Sequence, residues 1–251
     1  MQKLVEYARP KEKFLISVSG CHSRLHTFFV PAIEFSPSST YEIALIGLEA
    51  YYSFPNITKS NNHIKLSFDQ GKKWNDFLIP IGCYEVETID DILQEFVMKV
   101  TGDKKWGKKI RLSPNPNTLR CVLTIFDRDL WIDFNVDATI ASVLGFAKRI
   151  YKIGQHEGED IVKIMSVNSI LVHCDVIESS VLNGHRAPII YSFFPDVEPG
   201  EKIALSPQHL IYLPISRSLI TDMRCWLTDQ DGQDLNLRGE TVTLTFHIRA
   251  C

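Results

Sequence analysis

WLTDQDGQDLNLRGETVTLTFHIR (Trp226–Arg249) joins an apolar run, an acidic glycine-bearing middle and a run that alternates to its end. Alternation in TVTLTFHIR places Val242, Leu244, Phe246 and Ile248 on one face, the period-two pattern of a strand with one buried side. Met223 to Thr228 reads as a neighbouring strand. The middle admits two readings. Asp229, Asp231 and Asp234 stand at spacings close to the oxygen ligands of a calcium loop, with Gly232 available for a sharp turn. Against this, Gln233-Asp234 breaks the ligand alternation, and Glu240 falls just before the next strand. The better fit is a polar connection between two strands, shaped by Asp231-Gly232 and Arg238-Gly239. Asp229, Asp231 and Asp234 are kept as calcium candidates, but no metal and no other cofactor is expected.

Working backwards, IVKIM, SILVHCDVI, PIIYSFF, KIALS, LIYLPI and MRCWLT form a series of short strand-like runs, with turn signals at Asn183-Gly184 and Pro199-Gly200. An earlier series begins at Tyr41. YEIALIGLEAYYSF is rich in aromatic and branched residues, and NNHIKLSFDQGKKWNDFLIPIG reads as two strands about Asp69-Gln70-Gly71. A helix then starts at Thr88 as N-cap, with Asp90 and Asp91 in its first turn and Ile89, Ile92, Leu93, Phe96 and Val100 on one apolar face. LRCVLTIF and LWIDF are strands joined through Asp127-Arg128-Asp129, and DATIASVLGF is a second short helix that ends on Gly145.

GQHEGED (Gly154 to Asp160) has the composition of a linker. FLISVSG could be a strand, but the first ~37 residues as a whole lack sustained periodicity and read as an arm or extended segment, with Phe28, Phe29 and Val30 as apolar anchors for a neighbour. These readings give a mainly β chain of jelly-roll or sandwich architecture with two short helices. Its expected divisions are an arm over 1–37, a first β-module with both helices over 38–153, and a second β-module over 154–251. About thirteen strands exceed one eight-stranded jelly roll, so the chain holds either one jelly roll with a large insertion or two β-modules.

At 251 residues, 45% hydrophobic and 23% charged, the chain can bury a sizeable core. A net charge of -3 argues against a dedicated nucleic-acid binder, and Lys104 to Lys109 (KKWGKK) reads as a solvated loop. No signal peptide and no membrane span are expected. The six cysteines include no CxxC pair, and several sit in apolar runs, which reads as buried thiols in a reducing compartment.

Candidate chemistry is sparse. His173 and Asp175 share one strand face and Cys174 takes the other, so the three cannot form a triad together. His156, Glu157 and Glu159 make a metal-like cluster in a glycine-rich loop, for which a solvated loop is the better reading. Tyr51, Tyr52, Trp74 and Trp106 are the aromatics that a ligand-recognition patch would use, though each fits a core or strand-facing position better. No nucleophile-elbow, zincin, phosphate-loop or dinucleotide-binding pattern is present, and an enzyme is not expected.

The stretches ILVHCDVIESSVLNG, YSFFPDVEPGEKI and IYLPISRSLITDMRCWLTDQDGQDLNLRGETVTLTFHIR resemble virus-derived capsid proteins of Polinton (Maverick) elements and their adintovirus-like relatives. In the first half, YEVETIDDILQEF, NPNTLRCVLTIF, LWIDF and ASVLGF carry the same resemblance. It runs from about Tyr41 to Arg249. The resemblance implies a virion structural protein, of penton or minor capsid type by its size, which assembles as a homo-oligomer, a pentamer, and contacts a major capsid protein. Two other readings stay open: a β-sandwich attachment module that recognises a receptor or glycan, and a compact major-capsid-like coat protein.

Overall fold

The computed structural model describes residues 13–165, 167–178, 180–182 and 184–251. Three strands open the chain: β1 (Lys13–Gly20), β2 (Arg24–Glu34) and β3 (Tyr41–Tyr51). The next stretch holds β4 (His63–Ser67), β5 (Asn75–Leu78), helix α1 (Val86–Thr101), β6 (Ile110–Asn115), β7 (Arg120–Ile125) and β8 (Trp131–Asp133). Helix α2 (Ala141–Leu144), β9 (Ile150–Tyr151) and β10 (Gly154–Glu157) follow. The remainder supplies β11 (Ile170–Cys174), β12 (Ser180–Leu182), β13 (His185–Ala187), β14 (Ile189–Phe193) and β15 (Lys202–Leu205). It ends with β16 (Leu213–Pro214), β17 (Leu219–Thr228) and β18 (Val242–Ala250). The chain divides into two compact units, one formed by Met1–Phe54 with Val167–Cys251 and the other by Pro55–Ser166.

The first unit is a jelly roll. One sheet runs β1-β18-β3-β15, with β16 also on β3, and the other runs β14-β11-β17-β2, antiparallel throughout. Numbering its eight main strands in chain order gives 1-8-3-6 in one sheet and 5-4-7-2 in the other, so successive strands wrap around a single core. Val242, Leu244, Phe246 and Ile248 are all fully buried in that core, as their alternation predicts. Facing them on β3, burial falls on Ile43 and Leu45 and then switches parity to Leu48 and Ala50. The switch is a bulge: Leu45 faces Phe246 but Gly47 faces Thr245, so Ile46 is extra and the later residues turn over.

The second unit is inserted between β3 and β11. It holds a sheet β5-β4-β8-β9, a sheet β10-β7-β6, both helices and its own apolar cluster, which includes Ile89, Leu93, Phe134 and Tyr151. Helix α1 starts at Val86, two residues ahead of Thr88, and ends on Gly102 in the left-handed conformation. Asp90 turns inward from it. Its carboxylate accepts the Leu112 amide at 2.7 Å, covering an N–H on the outer edge of β6, and the Gln94 side chain at 2.7 Å. Burial raises its pKa above the usual carboxylate value.

Several sequence expectations change. Lys13 to Glu34 is not an arm but two strands of the jelly roll, paired with β18 and β17 from the far end of the chain. Residues 1–12 of the expected arm lie outside the described residues, as does Asn183. Division at 38–153 and 154–251 gives way to an insertion at 55–166, because β3 belongs with the last strand rather than with its sequence neighbours. Gly154 to Asp160 is no linker: β10 pairs with β7, and Gly158 lies against Gly145, where a side chain would meet the Gly145 carbonyl oxygen at 2.8 Å. IVKIM carries no strand among its described residues, and LIYLPI keeps only Leu213–Pro214.

Candidate functional site

The most irregular part of the jelly roll is its edge strand β2. Phe28 faces Asp222 and Ile33 faces Ile220, so residues 29–32 of β2 stand opposite the single residue Thr221. This wide bulge holds a cis Val30–Pro31 peptide and leaves Val30 95% exposed, while Phe28, just ahead of it on the outer face with His26, is 69% exposed. Pro31 suits the position, since an edge strand tolerates a missing donor.

Alongside the bulge lies a charged face. His26 Nε2 sits 2.8 Å from Asp222 Oδ2, Arg224 Nε lies 3.9 Å from the same oxygen, and the His26 ring packs on Phe28 at 4.4 Å. Hydrogen bonds from His26 and Thr221 hold the Asp222 carboxyl below the usual range. Asp175 accepts the Arg224 amide at 2.9 Å and faces Arg217 at 3.2 Å. Arg24, His26, Asp175, Arg224 and Trp226 line a cleft of about 320 Å³ on this face. Further along, His173 stacks on Trp226 with centroids 4.8 Å apart, and its Nε2 meets the Thr228 hydroxyl at 3.0 Å. The other ring nitrogen, Nδ1, is buried and has no hydrogen-bond partner among the described residues. Burial lowers the His173 pKa.

The acidic loop after β17 is a connection between strands. Asp229 accepts the amides of Asp231 and Gln233 at 2.9 and 2.8 Å, a local turn closed by its own side chain. Gly232 supplies a positive φ of 77°, and Asp234 pairs with Arg24 Nε at 2.7 Å. The three calcium candidates thus face different partners, and no group of three metal-ligating side chains converges among the described residues.

His173, Cys174 and Asp175 separate as their alternation requires, with Cys174 in the core and His173 on the opposite face. His156, Glu157 and Glu159 also diverge. His156 meets the Lys152 carbonyl at 2.8 Å, Glu157 accepts from Asn115 and Thr118, and Glu159 pairs with Arg149 at 2.8 Å. Tyr52 is buried, while Tyr51 is exposed and Trp74 and Trp106 are half-buried. Lys109 Nζ covers the Trp106 ring at 3.5 Å from its centre and also pairs with Asp127 at 2.7 Å. Cys121, Cys174 and Cys225 are buried, Cys83 is half-buried, and Cys21 and Cys251 are exposed, so the expectation of buried thiols holds for only part of the set. Burial pushes the Cys121 thiol up to about 12.

Sequence reasoning misses the bulge and the His26–Asp222–Arg224 cluster. Pro31 inside an otherwise strand-like run is the available signal, because proline there marks an edge or a bulge. No helix among the described residues is long and apolar enough to cross a membrane.

No protein-family model matches the chain, and no curated protein matches it in sequence. Among solved structures, the mavirus penton protein superimposes over 96% of this chain and 100% of its own, with a TM-score of 0.51 at 9% sequence identity. At that identity the likeness is one of fold, and it spans both the jelly roll and the inserted unit. The chain therefore shares the fold of a viral penton protein.

Proposed function

We propose that the chain is a viral or virus-derived capsid structural protein of penton type, which self-assembles as a pentamer at shell vertices and contacts a major capsid protein there. The observation that carries this reading is the superposition of the chain, a jelly roll of order 1-8-3-6 and 5-4-7-2 with a folded unit inserted between β3 and β11, on the mavirus penton protein over 96% of this chain and 100% of that one. The exposed apolar residues of the jelly roll support it. Phe28, Val30, Leu15 and Phe194 stand out from strands or their ends, where a neighbouring subunit would cover them. The role is structural rather than enzymatic, exercised in the virion after synthesis in the host cytoplasm or nucleus.

The competing attachment reading would place a glycan or receptor on exposed aromatic faces. Of its candidates Tyr51, Tyr52, Trp74 and Trp106, Tyr52 is buried and the ammonium group of Lys109 already stands over the Trp106 ring at 3.5 Å, which leaves exposed Tyr51 and half-buried Trp74 rather than a set of open faces. That geometry favours the assembly reading. Negative-stain microscopy with sedimentation across concentration and salt tests it: five-fold rings support a penton, whereas single particles at every concentration would overturn it.

A further inference from the structure

Cys174 of β11 and Cys225 of β17 lie directly opposite one another on the core face of their sheet. The adjoining pair is the hydrogen-bonded one, because the Asp175 amide donates to the Arg224 carbonyl at 3.0 Å. Alternation along an antiparallel ladder then makes Cys174 and Cys225 a non-hydrogen-bonded pair, where Cα atoms approach to about 4.5 Å and side chains lie nearest. That separation is within the span of a disulfide. In keeping with that placement, hydrogen bonding to the Cys174 side chain is the first cause raising the Cys225 pKa. Both side chains are buried, at 0% and 1% exposure, among apolar neighbours such as Val172 and Leu227.

We propose that Cys174 and Cys225 are a latent cross-strand disulfide, a covalent modification site that staples the two central strands of this sheet when the protein meets a disulfide oxidant. The two S–H groups lose two protons and two electrons as the S–S bond forms. Oxidised glutathione, as the oxidant, takes up both and leaves as two thiols through a mixed disulfide. Each sulfur is sealed in the core, so exchange occurs during folding or a local opening of β17. Once formed, the bond is shielded from reductant by the same packing. Cys121 belongs to the other unit's core, half-buried Cys83 lies in that unit too, and Cys21 and Cys251 are exposed at the ends of β1 and β18, so none of the four shares the position opposite Cys174 or Cys225. The link needs only the jelly roll and does not depend on the capsid reading.

Refolding the full chain in a reduced/oxidised glutathione buffer, followed by alkylation under denaturing conditions and mass spectrometry, tests it. Two of the six thiols should escape alkylation. Proteolysis should yield one peptide pair joined through Cys174 and Cys225, and the oxidised protein should melt about 5 °C or more above the reduced form. Cys21→Ser should leave the link intact, and Cys225→Ala should abolish it without creating another. Six alkylated thiols after oxidative refolding would overturn the proposal. So would a link mapped to another pair, or stable glutathione adducts at Cys174 or Cys225.

Discussion

Asn56 offers a sharp test of what holds the inserted unit together. Its side chain is 7% exposed and is hydrogen-bonded on both ends. Nδ2 donates to the Tyr84 carbonyl at 2.7 Å and to the Ile164 carbonyl at 3.0 Å, while Oδ1 accepts the Tyr84 amide at 3.0 Å. One residue thus ties the first turn of the unit to its last and to the segment that leads into α1. Asn56→Ala removes all three bonds. The Tyr84 amide loses this partner at a cost of about 1–3 kcal/mol, and the two carbonyls, which tolerate loss better, add about 1 kcal/mol more. The expected total is about 3 kcal/mol of unfolding free energy by urea titration, with faster hydrogen exchange at the Tyr84 amide. Asn56→Asp keeps the shape and the acceptor, yet turns an oxygen toward two carbonyl oxygens and buries a charge. It should therefore cost at least as much as alanine, although volume alone ranks it far milder. An aspartate variant within about 1 kcal/mol of wild type would mean that these hydrogen bonds do not hold the unit together.

Gly145 ends α2 at φ 79°, and a Cβ there would fall 2.2 Å from the Asp160 carbonyl oxygen and 2.8 Å from its carbon. Backbone cannot rotate away, so Gly145→Ala should cost about 3 kcal/mol by calorimetry. Gly102→Ala, with φ 69° and open space around it, should cost only about 1 kcal/mol. A second expectation concerns pH. The His173 pKa is lower folded than unfolded, so the unfolded chain binds the proton more readily and stability falls as pH drops through the ordinary histidine range. His173→Gln should remove up to about 1.4 kcal/mol per pH unit of that slope between about pH 7 and 5, and parallel curves for variant and wild type would count against the assignment.

The β class, the two helices and the buried face of β18 are all legible because each rests on local information. Period-two alternation, an i, i+3, i+4 face and a glycine cap are written within ten or so residues. What cannot be read is what depends on pairing across the chain. KFLISVSG looks ordinary on its own, yet it is the edge of a sheet only because Val242–Ala250 lies beside it. The same holds for Arg24–Glu34, whose periodicity is broken by the bulge at residues 29–32, so a strand reads as an arm. Gly154–Glu157 resembles a linker because its glycine-rich surroundings suit flexible chain equally well. Here Gly158 instead permits a backbone approach to Gly145 that a side chain would block.

The acidic loop shows the converse limit. Its three aspartates have the spacing of ligands, but spacing does not state which partner each will meet. Arg24, 210 residues away, takes Asp234 by an ion pair that no local pattern announces. Asp229 meanwhile turns back on the amides of its own loop, as short side chains beside glycine tend to do. A calcium loop needs its carboxylates free to converge, and here a strand end and a turn have each claimed one. Deciding between turn and ligand therefore requires the fold, because the residue that settles it lies on the strand paired beside β17.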